Sequence, residues 1–286
     1  YCQKNGIPFQ QIEPLLDLLA VSIASDIVPL VDENRILAHY GLLRLNASPS
    51  KGLLSIIKIC GLDRHNITID DIVFKIGPRI NAAGRMRMDE NDENAAPSGG
   101  YAAVNLLIEG NESLAEEFGS VIDGFNQDRK CIDRSVTQEA HDFIEAHAEL
   151  KAAKSTVIYN PRWMKGIVGI VASRLVEKTG RPVIVVSVDE HGEGKGSGRS
   201  VQGFNLHECI ASCADILLRF GGHAMAAGLS VREEDLQTLR QRLNDWAARE
   251  CPVLRTPPLE CDLSVHLDRL TVESVRRLDQ LAPYGA

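Results

Sequence analysis

Aromatic residues are scarce in this chain: seven Phe, five Tyr and two Trp make up 5% of 286 residues. The 44% hydrophobic content is therefore carried mainly by Leu, Ile, Val and Ala, which suits helices and buried strands and argues against an aromatic-rich β-sandwich. Positive charge is in deficit as well. With 31 Lys and Arg against 39 Asp and Glu, the formal charge is −8, which argues against a generally basic nucleic-acid binder and leaves room for a local cationic groove. No apolar run approaches the roughly 20 residues needed to cross a bilayer, and no signal-like segment is present.

The seven cysteines form no C-x-x-C pair. Such usage points to a reducing, cytoplasmic compartment with thiols serving as small core residues. Cys209 and Cys213 lie one helical turn apart, but no second ligand pair follows, which argues against zinc. Gly194-Lys-Gly-Ser-Gly lacks the spacing of a dinucleotide loop and the Lys-Ser/Thr ending of a P-loop, and no G-x-S-x-G elbow surrounds Ser197. The polar stretch Asp89 to Gly100 fails as a calcium loop, because the turn position holds Asn94 and the bidentate position Gly100. It reads as a mobile surface loop.

The length favours two domains. From Glu13 to Gly61 the apolar spacing is helical, with Leu15, Leu18 and Leu19, then Ile36, Leu37, Tyr40 and Leu43, then Leu53, Ile56 and Ile57. A long one-sided helix is expected from Ser113 to about Leu150, through Leu114, Phe118, Val121, Ile122, Phe125, Ile132, Val136, Ala140, Phe143 and Ile144. Beyond Lys154 strands alternate with helices: strands at Ser155–Tyr159, Val183–Val188 and Ala226–Val231, helices at Gly166–Lys178, Leu206–Leu218, Glu233–Arg249 and Thr271–Leu281. Gly169 and Ala172 are expected to permit close helix packing, and Gly180 to end its helix as the C′ residue. The chain opens without methionine and closes inside a turn, so it reads as part of a longer protein.

Chemistry concentrates between Gly194 and Gly228. Gly-Lys-Gly-Ser-Gly-Arg-Ser (194–200) and Phe-Gly-Gly-His-Ala-Met-Ala-Ala-Gly (220–228) combine bare backbone with a hydroxyl, a guanidinium and an imidazole, the groups that converge on a phosphate ester. Arg79, Arg85 and Arg87 form one cationic cluster, and Lys165, Arg174, Lys195 and Arg199 another; solvated surface charge is the alternative for each.

Trp163-Met-Lys-Gly-Ile-Val-Gly-Ile-Val-Ala-Ser-Arg-Leu, Gly-Ser-Gly-Arg-Ser and the Gly-Gly-His segment resemble the DHH-associated domain of the DHH phosphoesterase superfamily. Ser25-Asp-Ile-Val-Pro-Leu and Glu33-Asn-Arg-Ile-Leu resemble that superfamily's fourth metal-site motif. Gly77-Pro-Arg-Ile-Asn-Ala-Ala-Gly-Arg-Met, Asn126-Gln-Asp-Arg-Lys and Leu281-Ala-Pro-Tyr-Gly are similar to its RecJ-type exonucleases. The resemblance implies an α/β fold in three parts: the helical carboxy-terminal part of a DHH catalytic domain (1–110), a connecting helix (111–150) and a DHH-associated domain with a mixed sheet (151–286).

It further implies a metal-dependent 5′-to-3′ exonuclease for single-stranded DNA in recombination and repair, using Mn2+ or Mg2+. The implied substrate is a strand with a 5′ phosphate, and the implied partners are a single-strand-binding protein and a helicase. Asp26 matches the last metal-ligand aspartate. It is the only ligand of that set in the sequence, so this stretch alone is expected to bind without hydrolysing. Ser197 and Arg199 would hold the terminal phosphate, with His223 and the neighbouring Gly222 near the scissile one, and Asn81 and Arg85 would line the strand's path. The alternatives are a helix N-cap for Asp26, a solvated turn for Ser197 and Arg199, pairing with the Asp89 loop for Arg85, and core packing rather than base stacking for Trp163. At the level of function they are a phosphodiesterase for short oligonucleotides or cyclic dinucleotides and a non-catalytic DNA-binding scaffold.

Overall fold

The computed structural model describes residues 3–86, 99–251, 261 and 263–285. It divides into two compact units, residues 1–128 with 261–286, and residues 129–260. Among the described residues no helix is long and apolar enough to cross a membrane.

The first unit is helical, built on α1 (Leu16–Ser25), α2 (Asp32–Ala47), α3 (Lys51–Ile59), α4 (Gly77–Ala83) and α5 (Gly99–Ile108). The first part of α6 (Glu112–Ala146) completes it. Leu45, Leu53, Ile56, Ile72, Ile76, Leu106 and Ile122 form its core. Two glycines set how closely the helices approach. A Cβ on Gly41 would lie 2.2 Å from the Leu16 carbonyl oxygen, and one on Gly52 would lie 1.9 Å from that of Leu106, so α2 meets α1 and α3 meets α5 backbone to backbone.

This close approach corrects the expected face of α2. Ala38, Gly41 and Leu45 turn inward, whereas Ile36, Tyr40 and Leu43 are exposed. Small residues must occupy the contact with Leu16, and the larger ones on the opposite stripe are left outside. In α6, Leu114, Val121 and Phe143 are likewise exposed, while Ile122, Val136, Ala140 and Ile144 are buried. The side chain of Asn111 caps α6 by accepting from the backbone N–H groups of Ser113 (2.9 Å) and Leu114 (3.2 Å). The helix ends at Ala146, short of the expected Leu150, because His147 takes an extended conformation (φ −115°, ψ 107°) before a further short helix, Ala148–Ala152. Most of the expected Asp89 to Gly100 loop lies outside the described residues, and its last two glycines open α5.

The second unit is a five-stranded mixed sheet of order β1-β2-β3-β5-β4. Its strands are β1 (Thr156–Asn160), β2 (Val183–Val188), β3 (Glu193–Arg199), β4 (Leu217–Gly222) and β5 (Ala226–Arg232). β1 and β2 are parallel and joined through α7 (Val168–Thr179); the other pairings are antiparallel. Gly180, at φ 66°, ends α7 as expected. All six residues of β2 are buried, which suits a β-branched strand covered on both faces. On one face Val183, Val185 and Ile158 pack with α7 and the last part of α6. On the other, Ile184, Val186, Leu229 and Val231 pack with α8 (Leu206–Ala211) and α9 (Leu236–Glu250).

One element differs from the expectation, and the turn given as the alternative for Ser197 and Arg199 is not what is found. Leu217 and Leu218 belong to β4 and not to a helix reaching from Leu206. The glycine-rich segment from Gly194 to Arg199 is a strand and not a turn. Its glycines alternate with larger residues, and a Cβ on Gly194, Gly196 or Gly198 would lie within 3.0 Å of Val186, Leu229 or Leu206 side chains, respectively. Cys209 and Cys213 are buried free thiols. Burial pushes the Cys209 thiol up to about 12, as befits a core residue and not a reactive one.

Candidate functional site

The strand alternation of β3 separates two sets of side chains. Gly194, Gly196 and Gly198 face the α8–α9 side, so Lys195, Ser197 and Arg199 face the α7 side. There the guanidinium of Arg199 donates through Nη1 to Ser197 Oγ (3.0 Å) and to the Gly198 carbonyl oxygen (2.9 Å). These bonds hold the planar Arg199 head beside the hydroxyl.

The first turn of α7 stands over this pair. A Cβ on Gly169 would lie 3.0 Å from Ser197 Oγ and 3.2 Å from Arg199 Nη2. Gly169, expected to serve helix packing, therefore lets the first turn of α7 come close to a hydroxyl and a cation, and a side chain there would crowd both. The amino-terminal end of a helix carries unsatisfied N–H groups and partial positive charge. A helix end, a guanidinium and a hydroxyl are groups that can each donate hydrogen bonds to an anion. The helix contribution was not legible from the motif, although the alternation of glycine with Lys, Ser and Arg was the available signal for its strand.

Strand register adds the second segment. Arg199 is opposite Ala226, Ser197 is opposite Gly228, and Gly228 is opposite Gly221 on β4. Gly222 follows with φ 139°, in the region open to glycine. The chain then turns through His223, whose backbone N–H donates to the Ala226 carbonyl oxygen at 2.8 Å. His223 is exposed and thus sits at the end of the sheet where Arg199 lies. Ser197, Arg199, Gly222 and His223 share one end of one sheet.

Asp26 and Asn81 are in the first unit and line one cavity of about 400 Å3, together with Ser22, Ser25 and apolar side chains including Leu18, Val21 and Ile80. Asp26 is the residue that ends α1, followed by Ile27 at φ 52°; it is not the N-cap of a helix. The buried Ser25 hydroxyl beside it has no hydrogen-bond partner among the described residues. One carboxylate, two hydroxyls and an amide are a poor donor set for a divalent cation, which calls for several carboxylates or imidazoles. Among the described residues no group of three or more His, Cys, Asp or Glu is placed to hold a metal. The residues here do not by themselves make a metal centre.

Three members of the cationic clusters, Arg79, Lys165 and Arg174, have carboxylate partners. Arg79 donates to Asp123 at 2.8 Å and to the Lys75 carbonyl oxygen. Lys165 lies 3.6 Å from Asp189 and Arg174 lies 2.7 Å from the fully buried Asp133. Arg85 is exposed beyond the end of α4, and Arg87 lies outside the described residues. Trp163 is buried, with Nε1 donating to Glu139 at 3.3 Å, which gives it a core role and not a base-stacking one.

Residues 152–249 match the DHHA1 domain. The chain is 40% identical over 275 residues to the single-stranded-DNA-specific exonuclease RecJ of Bacillus subtilis, covering 96% of this chain and 33% of that protein. It is 32% identical over 293 residues to RecJ of Escherichia coli, covering 99% and 48%. Over nearly its whole length the chain is similar to part of RecJ. The crystal structure of RecJ in complex with Mg2+ from Thermus thermophilus superposes with a TM-score of 0.81 at 30% identity, covering 99% of this chain and 42% of that one. A structure of exonuclease RecJ bound to manganese gives 0.69 at 30% identity, covering 87% and 58%. The chain thus spans between a third and a half of the length of the curated RecJ proteins it matches.

Proposed function

We propose that this chain recognises the 5′ end of single-stranded DNA within a metal-dependent 5′-to-3′ exonuclease. Ser197 and Arg199 take the terminal phosphate, assisted by the N–H groups that open α7. Gly222 lets the backbone turn so that His223 reaches the scissile phosphate and stabilises its developing charge. Asn81 and Arg85 contact the strand, and Asp26 is the single carboxylate this stretch contributes toward a metal set of Mn2+ or Mg2+. The single-strand-binding protein, the helicase and the cytoplasmic setting implied by the resemblance belong to the same proposal.

One observation carries it. The Arg199 guanidinium is held on Ser197 Oγ (3.0 Å), and both lie against Gly169 in the first turn of α7. A charge-assisted pair of hydrogen bonds to phosphate is worth roughly 1.5–3 kcal/mol, or about ten- to a hundredfold in affinity. Arg199→Ala is expected to weaken binding of a 5′-phosphorylated single strand by about that factor, while binding of the 5′-hydroxyl strand changes little. Fluorescence anisotropy with both strands, at one salt concentration, measures it. Equal losses on the two strands would remove the end-recognition role.

A further inference from the structure

Beyond Ser197 the α7 side of the sheet stays open. α7 packs on β2 and β3, while on β5 and β4 the residues of this side include Gly228, Gly221 and Arg219, all exposed, and the half-buried Ser230. Register fixes the rows. Ser197, Gly228 and Gly221 form one, and Lys195, Ser230 and Arg219 form the next, about 6.6 Å further along the strands. A Cβ on Gly221 would meet nothing within 4 Å, and one on Gly228 would meet only the Gly196 carbonyl oxygen at 3.7 Å. Packing within this unit therefore does not demand glycine at either place.

The second row carries two cations around a hydroxyl. Lys195 is exposed, with Glu193 3.9 Å away as its nearest carboxylate, too long for a direct hydrogen bond. Arg219 makes no hydrogen bond or ion pair among the described residues. Continuing along the sheet, Glu193 is opposite Arg232, and Glu233 and Glu234 line the same hollow as that pair.

The direction of the rows gives them a meaning. In the proposed reading, the scissile phosphate lies toward His223 and the terminal phosphate at Ser197 and Arg199. The Lys195–Arg219 row lies on the other side, beyond the end of the strand, where a 5′-monophosphorylated DNA has no further charge. We infer that Lys195, Ser230 and Arg219 extend the end pocket to receive the outer phosphates of a 5′ end carrying a di- or triphosphate. The extension rests on the end-recognition reading of Ser197 and Arg199. Outer phosphates add negative charge within reach of two long cationic side chains, and the bare Gly228–Gly221 backbone leaves their path clear.

The experiment compares binding of one single-stranded sequence bearing a 5′ hydroxyl, a 5′ monophosphate or a 5′ triphosphate. It uses the unaltered chain and the Lys195→Ala/Arg219→Ala double variant at constant salt. The unaltered chain is expected to bind the triphosphate end about tenfold tighter than the monophosphate end, the size of one well-placed charge-assisted contact. The double variant should bind the two equally and keep its preference for monophosphate over hydroxyl. If the unaltered chain does not favour the triphosphate, or if the preference survives in the double variant, the extended pocket is wrong. Loss of the monophosphate-over-hydroxyl preference in the unaltered chain would instead overturn the underlying end-recognition reading.

Discussion

Gly169→Ala is expected to lower affinity for a 5′-phosphorylated strand about tenfold while leaving the fold intact or slightly stabilised. Alanine is favoured over glycine in a helix by up to about 1 kcal/mol, and Gly169 is not at a positive φ. Its new methyl group, however, would stand 3.0 Å from Ser197 Oγ and 3.2 Å from Arg199 Nη2. Both side chains would have to move by a few tenths of an ångström, and the methyl would occupy space assigned to the phosphate. A misplacement of about 1 Å in a preorganised site can cost about a hundredfold, so a shift of a few tenths is set at about tenfold. Urea denaturation and strand binding on the same preparation read the two effects separately. Unchanged affinity for the phosphorylated strand would show that the space under α7 is not the phosphate pocket.

Gly52→Ala carries the opposite sign. Its Cβ would lie 1.9 Å from the Leu106 carbonyl oxygen and 2.7 Å from the carbonyl carbon. These are backbone atoms of α5, so no side chain can swing aside. α3 would have to retreat from α5, loosening the packing of Leu53, Ile56 and Leu106, all fully buried. A destabilisation of about 3 kcal/mol is expected, the upper end of ordinary overpacking. It outweighs the helix-propensity gain that favours alanine at the same position. Chemical denaturation followed by far-ultraviolet circular dichroism measures it, and a change below about 0.5 kcal/mol would contradict the close approach.

These two glycines show where the sequence was legible and where it was not. Periodicity located α1, α2, α3 and α6 and the buried strand Val183–Val188, because long apolar runs have few competing readings, but it gave no sign of α4 or α5. It could not tell which face of α2 turns inward. The large residues Ile36, Tyr40 and Leu43 suggested one stripe, and the close approach at Gly41 required the other. Glycine scores poorly in strands, so the strand Glu193–Arg199 was hidden behind its own composition, even though its alternation with Lys, Ser and Arg has the strand period. The Leu206–Leu218 run looked helical throughout, yet its end crosses into β4, since the chain must supply the edge strand that brings Gly221, Gly222 and His223 beside β5.

The candidate site was legible as a set of residue types and only partly as an arrangement. Ser197, Arg199 and His223 were singled out by motif, and the register brings them to one end of one sheet. The contribution of α7 depends on a fold-level contact of Gly169 with Ser197 and Arg199, far along the chain, which no local pattern announces. Asp26 and Asn81 share a cavity that offers one carboxylate among hydroxyls, an amide and apolar walls.

The most direct measurement follows individual nuclei while a short 5′-phosphorylated single strand is titrated into isotopically labelled protein. The backbone amides of Val168 and Gly169 and the Arg199 side-chain Nε–H are expected to show the largest shift changes, and the 5′-hydroxyl strand is expected to leave them nearly unmoved. If both strands shift these signals equally, or if the phosphate-dependent changes fall elsewhere, the terminal phosphate is not held between α7 and β3.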